Sequence, residues 1–224
     1  MSPITSSSAP ARDRYLTLGR VRVGMGTEIG PFTTIGWPYR EVNGKRISAR
    51  GETIIGRDCM FGAHVSILRG THIRDRVSVD DFTTIEQDVD IGEECVLTYH
   101  AIICNEAKIG ARSVVGGFVG ERSVVSHDCR VFGHLVHRQD NPAMPWDGPA
   151  EPAPVLGHHV FVAFGAVIAG GVKIGKRSYI CAGAVVTKNV PPRHIVKGAN
   201  EAMYYKSSDL KLAKSPWFSE RDHA

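Results

Sequence analysis

Large apolar residues recur at every sixth position along most of this 224-residue chain. The longest uninterrupted run extends from Ile55 to Val115. A smaller residue stands four positions after each large one, and glycine often follows the large one directly, where a turn can use its freedom in φ. A period of six fits neither a helix of 3.6 residues per turn nor a simple strand. It predicts very short strands joined by regular corners.

The same period is found on both sides of the central run. An antiparallel sandwich, the alternative, would show alternation at period two and turn signals every ~8–12 residues, and the chain lacks that pattern. After a two-residue slip beyond Val115, the large positions are Val119, Val125 and Val131. The flanking large positions are Val23, Ile29, Ile35, Leu156, Val162, Ile168, Ile174, Ile180 and Val186.

This repeat resembles that of the hexapeptide-repeat proteins, whose fold is an all-β, left-handed parallel β-helix of triangular section with three hexads per coil. The resemblance covers about residues 21–198 and implies about eight coils at ~4.8 Å per coil. Residues 36–52 and 138–154 interrupt the period and are predicted to be protruding loops. Residues 1–20 are expected to be a disordered N-terminal segment, and 199–224 a tail with one short helix around Ser207 to Ala213.

An eighteen-residue coil also predicts which side chains stack on the edges of the triangle. One column alternates in charge and is interpreted as a solvated ladder. A second is aromatic and is interpreted as ring stacking or a trimer contact, with a substrate groove as the alternative. The first column is Asp58, Arg76, Glu94 and Arg112, and the second is His64, Phe82, His100 and Phe118.

Composition and charge narrow the function. The net charge is +4 with no dense Lys/Arg block, which suits an anionic small ligand and gives no support for nucleic-acid binding. No apolar run is long enough for a membrane span and residues 1–14 lack a signal-peptide centre, so we expect a cytoplasmic protein. The five cysteines show no C-x-x-C spacing, which argues for reduced core thiols and against a disulfide framework or a thiolate zinc site.

Three of the ten histidines, His127, His134 and His137, lie close together in the sequence. Acyl transfer needs a group that removes a proton from the attacking hydroxyl or amine, and imidazole suits this role because it titrates near neutral pH. The segment Val125-Ser-His-Asp-Cys-Arg-Val131 resembles the I-x-H-D-C-x-[IV] hexad of lipid A UDP-N-acetylglucosamine acyltransferases and sialic-acid-type O-acetyltransferases. That resemblance makes His127 a candidate base with Asp128 as its orienting carboxylate.

His137 is the other candidate base. His137-Arg-Gln-Asp140, followed by Pro145-Trp146, resembles the H-R-x-D…P-[FW] segment of xenobiotic acetyltransferases, in which the histidine is the general base. The resemblance implies that the loop 138–154 covers the acceptor site. Trp146, Asp140 and His134 are the expected substrate contacts.

The resemblance to the xenobiotic, maltose and galactoside acetyltransferases continues in order beyond the loop. Pro154-Val-Leu-Gly157 stands where the family has P-V-x-I-G. The later segments Gly171-Val-Lys-Ile-Gly175 and Ala182-Gly-Ala-Val-Val-Thr-Lys-Asn-Val-Pro191 match G-V-x-I-G and G-A-G-S-V-V-T-K-D-V-P. Phe161 stands where the family has tryptophan. The resemblance implies acyl-CoA, most simply acetyl-CoA, as co-substrate, and it implies a homotrimer. The expected donor contacts are backbone amides at Gly165 or Gly170 and the cations Lys173, Lys176, Arg177 and Lys188.

The sequence thus predicts an acyl-CoA-dependent O- or N-acyltransferase that acts on a small acceptor, with a histidine base and no metal. Acylation of a nucleotide-linked sugar through His127 is the first alternative. A γ-carbonic-anhydrase-like enzyme would need three histidines on zinc, two of them five apart, and His134 and His137 are three apart. A non-catalytic β-helix that serves as an assembly subunit is the last alternative.

Overall fold

The computed structural model describes residues 15–38, 41–42, 45–46, 51–138, 151–198 and 201–204, and its strands form three long sheets. Face A contains β1 (Tyr15–Thr17), β4 (Thr33–Trp37), β9 (Ser66–Leu68), β12 (Thr84–Ile85), β15 (Ile102–Ile103), β18 (Phe118–Val119), β21 (His134–Leu135), β24 (Val167–Ile168) and β27 (Val185–Val186). Face B contains β2 (Val21–Val23), β7 (Thr53–Ile55), β10 (His72–Ile73), β13 (Asp90–Ile91), β16 (Lys108–Ile109), β19 (Val124–Val125), β22 (Val155–Leu156) and β25 (Lys173–Ile174). Face C contains β3 (Glu28–Ile29), β8 (Met60–Phe61), β11 (Ser78–Val79), β14 (Val96–Leu97), β17 (Val114–Val115), β20 (Arg130–Val131), β23 (Phe161–Val162), β26 (Tyr179–Ile180), β28 (His194–Lys197) and β29 (Glu201–Tyr204).

The chain visits faces A, B and C in turn and pairs each strand in parallel with the equivalent strand of the next coil. On these three faces, the exception among the described strands is β29, which folds back antiparallel on β28. With nine strands on face A, the chain makes about nine turns of a left-handed parallel β-helix. The fold class predicted from the six-residue period is confirmed, and the described residues include no helix.

The large residue of each hexad points into the helix and stacks on its equivalent one coil away. On face B, Ile55, Ile73, Ile91 and Ile109 are each at most 3% exposed and pair in register. Burying one such side chain contributes about 1.5–3 kcal/mol. Most strands are only two or three residues long because the next inward residue must already lie on the following face.

Each regular corner has four residues, and the third of them adopts a left-handed backbone conformation. Asp58, His64 and Arg76 have φ of 54°, 58° and 57°. The residue after each of these is small or β-branched and is buried, as at Cys59 and Val65. The four positions are called first to fourth below.

Two consecutive corners between faces C and A are two residues short. Val115 and Val119 occupy equivalent inward positions four residues apart, and so do Val131 and Leu135. Glycine makes the short corners possible, because a Cβ on Gly117 would collide with the Gly133 carbonyl oxygen.

The short corners change one predicted column. Phe32, His64, Phe82 and His100 stack along the C–A edge with ring centroids 4.9, 4.9 and 5.5 Å apart. The prediction that Phe118 continues this column is wrong. Because its corner lacks two residues, Phe118 lies in β18 on face A, where its ring faces His134.

The β-helix includes β1 at Tyr15–Thr17, which pairs with β4, so it takes in part of the segment 1–20 that was expected to precede it. Within the first predicted loop, β5 (Glu41–Val42) and β6 (Lys45–Arg46) form an antiparallel pair. This loop and the loop after His137 both leave the β-helix between faces A and B. Residues 139–150 and the helix expected at Ser207 to Ala213 lie outside the described residues.

The cysteines are free thiols, and all except Cys181 are buried. Burial raises the pKa of Cys95 to about 11, which keeps that thiol protonated and inert. Within the described ranges, no helix is long and apolar enough to cross a membrane.

Candidate functional site

The two candidate bases occupy the same corner position on different edges of the triangle. His127 is the second residue of a corner between faces B and C, and His137 is the second residue of a corner between faces A and B. Face B lies between them.

Second-position amides have a recurring partner in this fold. The N–H of Arg57 donates to Oδ1 of Asp75 (2.8 Å), and the N–H of Ala63 donates to Oδ1 of Asp81 (2.6 Å). In each case the acceptor is the side chain at the second position of the next coil. Such a side chain caps an amide that would otherwise lack a partner at the edge.

His127 takes this capping role. The N–H of Ala111 donates to Nδ1 of His127 at 3.0 Å. In the neutral ring the proton is therefore on Nε2, so His127 can donate a proton or a hydrogen bond but has no lone pair left to accept one. This arrangement is that of a structural cap and not of a general base.

Asp128 does not orient His127, contrary to the sequence prediction. Its two carboxylate oxygens accept hydrogen bonds from Nε and Nη2 of Arg112 at 2.7 and 2.9 Å. Burial alone would raise the pKa of Asp128, but the hydrogen bond and charge of Arg112, with weaker help from His159 and His127, lower it below its ordinary value. The carboxylate is thus fixed in the charge ladder, in which Arg76 and Glu94 also pair (2.8 Å).

Beyond Asp128 the B–C edge becomes rich in imidazoles and cations. The rings of His127 and His158 stack with centroids 5.3 Å apart and an interplanar angle of 2°. Burial, and then the charge of Arg177 among others, lowers the pKa of His159, while Asp128 opposes the shift. Lys176 follows His158 at the second position of the next coil.

His137 has the opposite hydrogen-bond role. Its Nε2 lies 3.3 Å from the carbonyl oxygen of Glu121, the second-position residue of the coil before it. A carbonyl can only accept, so Nε2 carries the proton and Nδ1 holds the lone pair. Among the described residues, no hydrogen bond to Nδ1 is found. This half-buried ring can accept a proton from a substrate.

Gly170 lies against His137, whereas Gly165 does not. A Cβ on Gly170 would lie 3.3 Å from the His137 Cα and 3.0 Å from the Arg138 nitrogen, and it would also meet the Pro152 carbonyl oxygen. Gly165 is at a corner between faces C and A. Of the two predicted backbone donors, only Gly170 is next to a candidate base.

The predicted substrate contacts are only partly described. His134 is exposed on β21, at the opposite end of the same short strand from His137. Asp140 and Trp146 lie outside the described residues, and their predicted roles stay predictions.

The predicted donor cations do not form one cluster. Lys173 points outward from β25 on face B, Lys176 and Arg177 occupy the B–C corner beside it, and Lys188 lies at the A–B corner of the next coil. They border the last coils of face B on both sides. Within the part of the chain described, no three His, Cys, Asp or Glu side chains are placed to hold a metal ion.

A hydrogen-bonded group beneath His137 was missed by the sequence reasoning. Asn105 accepts from the N–H of Gln87 (3.3 Å), donates its own N–H to Oε2 of Glu86 (3.0 Å) and donates from Nδ2 to Oε1 of Glu121 (3.2 Å). The signal was present in the register: Gln87, Asn105, Glu121 and His137 are consecutive second-position residues on the A–B edge.

Two segments of the chain match family models. Residues 153–188 match the bacterial transferase hexapeptide (six repeats), and residues 52–80 match the hexapeptide repeat of succinyl-transferase. Together with the fold, these matches support a relationship to the hexapeptide-repeat transferases. The narrower acetyltransferase branch stays a prediction.

Among curated proteins, the chain is similar to the bifunctional protein GlmU of Listeria monocytogenes, with 27% identity over 157 residues, which is 65% of this chain and 34% of the relative. GlmU of Clostridium kluyveri is 27% identical over 154 residues, 63% of this chain and 33% of the relative. The chain spans about a third of the length of these curated relatives.

Among solved structures, LpxA from Acinetobacter baumannii is 18% identical, with a TM-score of 0.42 and coverage of 86% of this chain and 69% of that one. UDP-N-acetylglucosamine O-acyltransferase from Moraxella catarrhalis is 16% identical, with a TM-score of 0.36 and coverage of 86% and 72%.

Proposed function

We propose that this protein is an acyltransferase that moves an acyl group, most simply acetyl, from acyl-CoA to a hydroxyl or amine of a small acceptor. His137 is the general base. The observation that carries the assignment is the contact between Nε2 of His137 and the Glu121 carbonyl oxygen, which leaves Nδ1 as a proton acceptor. His127 has the reverse arrangement, since its Nδ1 is used by the Ala111 amide.

The reaction follows from this geometry. As the acceptor oxygen or nitrogen attacks the thioester carbonyl carbon, its proton passes to Nδ1 of His137, and the Glu121 carbonyl stabilises the resulting imidazolium through Nε2–H. The N–H of Gly170, beside His137, is the proposed donor to the oxyanion. When the thiolate leaves, the proton on Nδ1 returns to the leaving group.

The last coils fit an anionic donor. Lys173, Lys176 and Arg177 form a cationic border on face B and its C-side corner, and Lys188 adds a cation at the opposite corner. The phosphates of CoA are the matching charges. The thioester supplies the activated acyl group.

The acceptor side is proposed from the loop that follows His137. The described chain leaves the β-helix at Arg138, beside the proposed base, and returns to it at Val155, and Asp140 and Trp146 lie between these points in the sequence. His134, exposed on β21 just before His137, is the proposed contact on face A.

We also propose a homotrimer. The exposed rings of the C–A edge, with Phe32 at 71% and Phe82 at 45% exposure, form a straight apolar ridge that equivalent ridges can cover. Head-to-tail contacts between copies form closed rings when the rotation closes. Light scattering should give three times the chain mass of 24.4 kDa. A stable monomer at micromolar concentration would contradict the trimer.

The test of the base compares His137→Ala with His127→Ala. Loss of a general base costs about 10²–10⁴-fold in rate, so His137→Ala should lower kcat by that factor and His127→Ala by much less. Thiol release from acetyl-CoA is measured with a panel of amino sugars and small alcohols, and thermal shift with CoA checks that donor binding is retained.

The opposite result, an inactive His127→Ala and an active His137→Ala, would overturn the assignment. It would favour the second candidate function, acylation of a nucleotide-linked sugar through the His-Asp-Cys hexad.

A further inference from the structure

The contact that sets the tautomer of His137 depends on one peptide unit. In this unit the main-chain carbonyl of Glu121 faces Nε2 of His137. The N–H of Arg122 donates to the main-chain carbonyl oxygen of Asn105 at 2.9 Å. The C=O and N–H of a trans peptide point in opposite directions. Anchoring the N–H on Asn105 therefore aims the carbonyl towards the next coil, where His137 lies.

Asn105 holds the same corner at a second point. Its Nδ2 donates to Oε1 of Glu121 at 3.2 Å. Asn105 is only 8% exposed, and its own N–H and Oδ1 are engaged by Glu86 and Gln87. The asparagine is thus fixed from the coil beneath and holds the Glu121–Arg122 unit above it.

The surroundings are acidic as well as polar. The neighbouring thiol of Cys104 has a pKa raised to about 12, mainly by burial and then by the charges of Glu86 and Glu121. Two carboxylates therefore lie near Asn105, and the neutral amide of Asn105 separates them. A third carboxylate at this position would repel both.

We infer that Asn105 is a positioning residue for His137: through Glu121 it fixes the carbonyl that binds Nε2–H and so keeps Nδ1 available as the proton acceptor. This inference deepens the proposed function and rests on it for its catalytic consequence. The Asn105 side chain joins the Gln87 amide to the Glu121 carboxylate, and the Asn105 main-chain carbonyl accepts from the N–H of the peptide unit whose C=O faces the His137 ring. Hydrogen bonds linked in this way polarise one another.

Asn105→Asp is the decisive variant, because this fold already uses aspartate as a second-position cap at Asp75 and Asp81. The cap on Gln87 is therefore retained, while the Nδ2–H donor to Glu121 is lost and a charge is added beside it. We expect kcat to fall about tenfold, within the range of couplings between hydrogen-bonded neighbours, with little change in KM for acetyl-CoA.

The double variant Asn105→Asp with Glu121→Gln exchanges the carboxylate and the amide, so that the pair reforms with its donor on the other side. It should recover most of the lost rate. The single variant Glu121→Gln completes the double-mutant cycle. Asp81→Asn makes the reverse exchange at a cap far from His137, and it should leave kcat unchanged.

A readout independent of turnover is the ¹⁵N chemical shift of the two His137 ring nitrogens in the ligand-free protein, assigned by their loss in His137→Ala. The unmodified protein should show a proton on Nε2, and Asn105→Asp should shift population to the Nδ1–H form, with recovery in the double variant. The nitrogen shifts decide the positioning role even where no acceptor of the panel turns over.

Three outcomes would overturn the inference. Unchanged nitrogen shifts in Asn105→Asp would show that Asn105 does not set the tautomer, whatever happens to the rate. Changed shifts with an unchanged rate, in an enzyme that His137→Ala inactivates, would show that the tautomer does not limit catalysis. A loss of rate that the double variant fails to recover would point to general disturbance of the coil. An active His137→Ala, by contrast, contradicts the proposed function and leaves the structural link to be judged by the shifts.

Discussion

His127 and His137 occupy equivalent backbone positions and yet have opposite hydrogen-bond roles. Each is the second residue of its corner, and each contacts the residue 16 positions before it. His127 meets an amide N–H and accepts, whereas His137 meets a carbonyl oxygen and donates. Corner position and spacing therefore do not determine whether a histidine of this β-helix can act as a base. What decides this is which backbone group of the preceding coil, an N–H or a carbonyl, faces the histidine ring.

The reason for the difference is whether the corner closes. In a closed corner the third residue donates its N–H to the carbonyl of the second residue one coil earlier, as Asp128 does to Ala111 at 2.9 Å. The Ala111 carbonyl is then engaged, and its N–H is left for the His127 ring. After His137 the chain leaves the β-helix into the loop, and the Glu121 carbonyl lies against the His137 ring instead. The loop after His137 thus helps to create the proposed base, because it leaves the Glu121 carbonyl facing the His137 ring.

The comparison between His127 and His137 predicts its largest effect on the free energy of unfolding at His127. His127→Ala leaves the nearly buried amide of Ala111 without its cap, which should cost about 1–3 kcal/mol in the free energy of unfolding. His127→Asn should recover most of this loss, because Asn105 caps Gln87 in the same way. Urea unfolding monitored by circular dichroism measures these differences.

Equal stability of the unmodified protein and His127→Ala would mean that the Ala111 contact contributes nothing. The structural explanation of His127 would then fail. Failure of His127→Asn to restore stability would assign the effect to the stacked ring of His158 instead of the cap.

A smaller effect is expected at Asp128, whose carboxylate belongs to the charge ladder. Its folded-state pKa is lowered, so its contribution to stability is present above the ordinary value of 3.8 and is lost as the pH falls through the folded value. Asp128→Asn keeps the left-handed backbone, which asparagine tolerates, and removes the charge. The loss should be at most about 1 kcal/mol near neutral pH, since the pair with Arg112 is partly exposed.

Unfolding curves at several pH values test this expectation. The difference between the unmodified protein and Asp128→Asn should shrink towards zero as the medium is acidified from the ordinary pKa of 3.8 to a pH below the lowered folded-state pKa of Asp128. A difference that persists at that pH would show that Asp128 acts through its shape or its hydrogen bonds and not through its charge.

Much of the fold was accessible from the sequence because the repeat is dense. The slip beyond Val115 was visible, but its recurrence after Val131 was not recognised, although Leu135 follows Val131 by four residues as Val119 follows Val115. Phe118 was assigned to the wrong column because the slip after Val115 was not carried through to its own corner, residues 116–117. The proposed site was accessible only as a set of candidates: His137 and His127 were both found, and Gly165 and Gly170 could not be separated.

The six-residue period alone determined the β-helix, because an apolar residue at every sixth position can be buried only if the chain turns regularly around one core. It also determined which side chains share an edge, since side chains one coil apart stack. Only the tertiary structure decided what each stacked side chain binds. A histidine ring can cap an amide or donate to a carbonyl, and the choice depends on which backbone group the neighbouring coil leaves free. That depends on whether the corner closes, as it does at His127, or opens into a loop, as it does at His137.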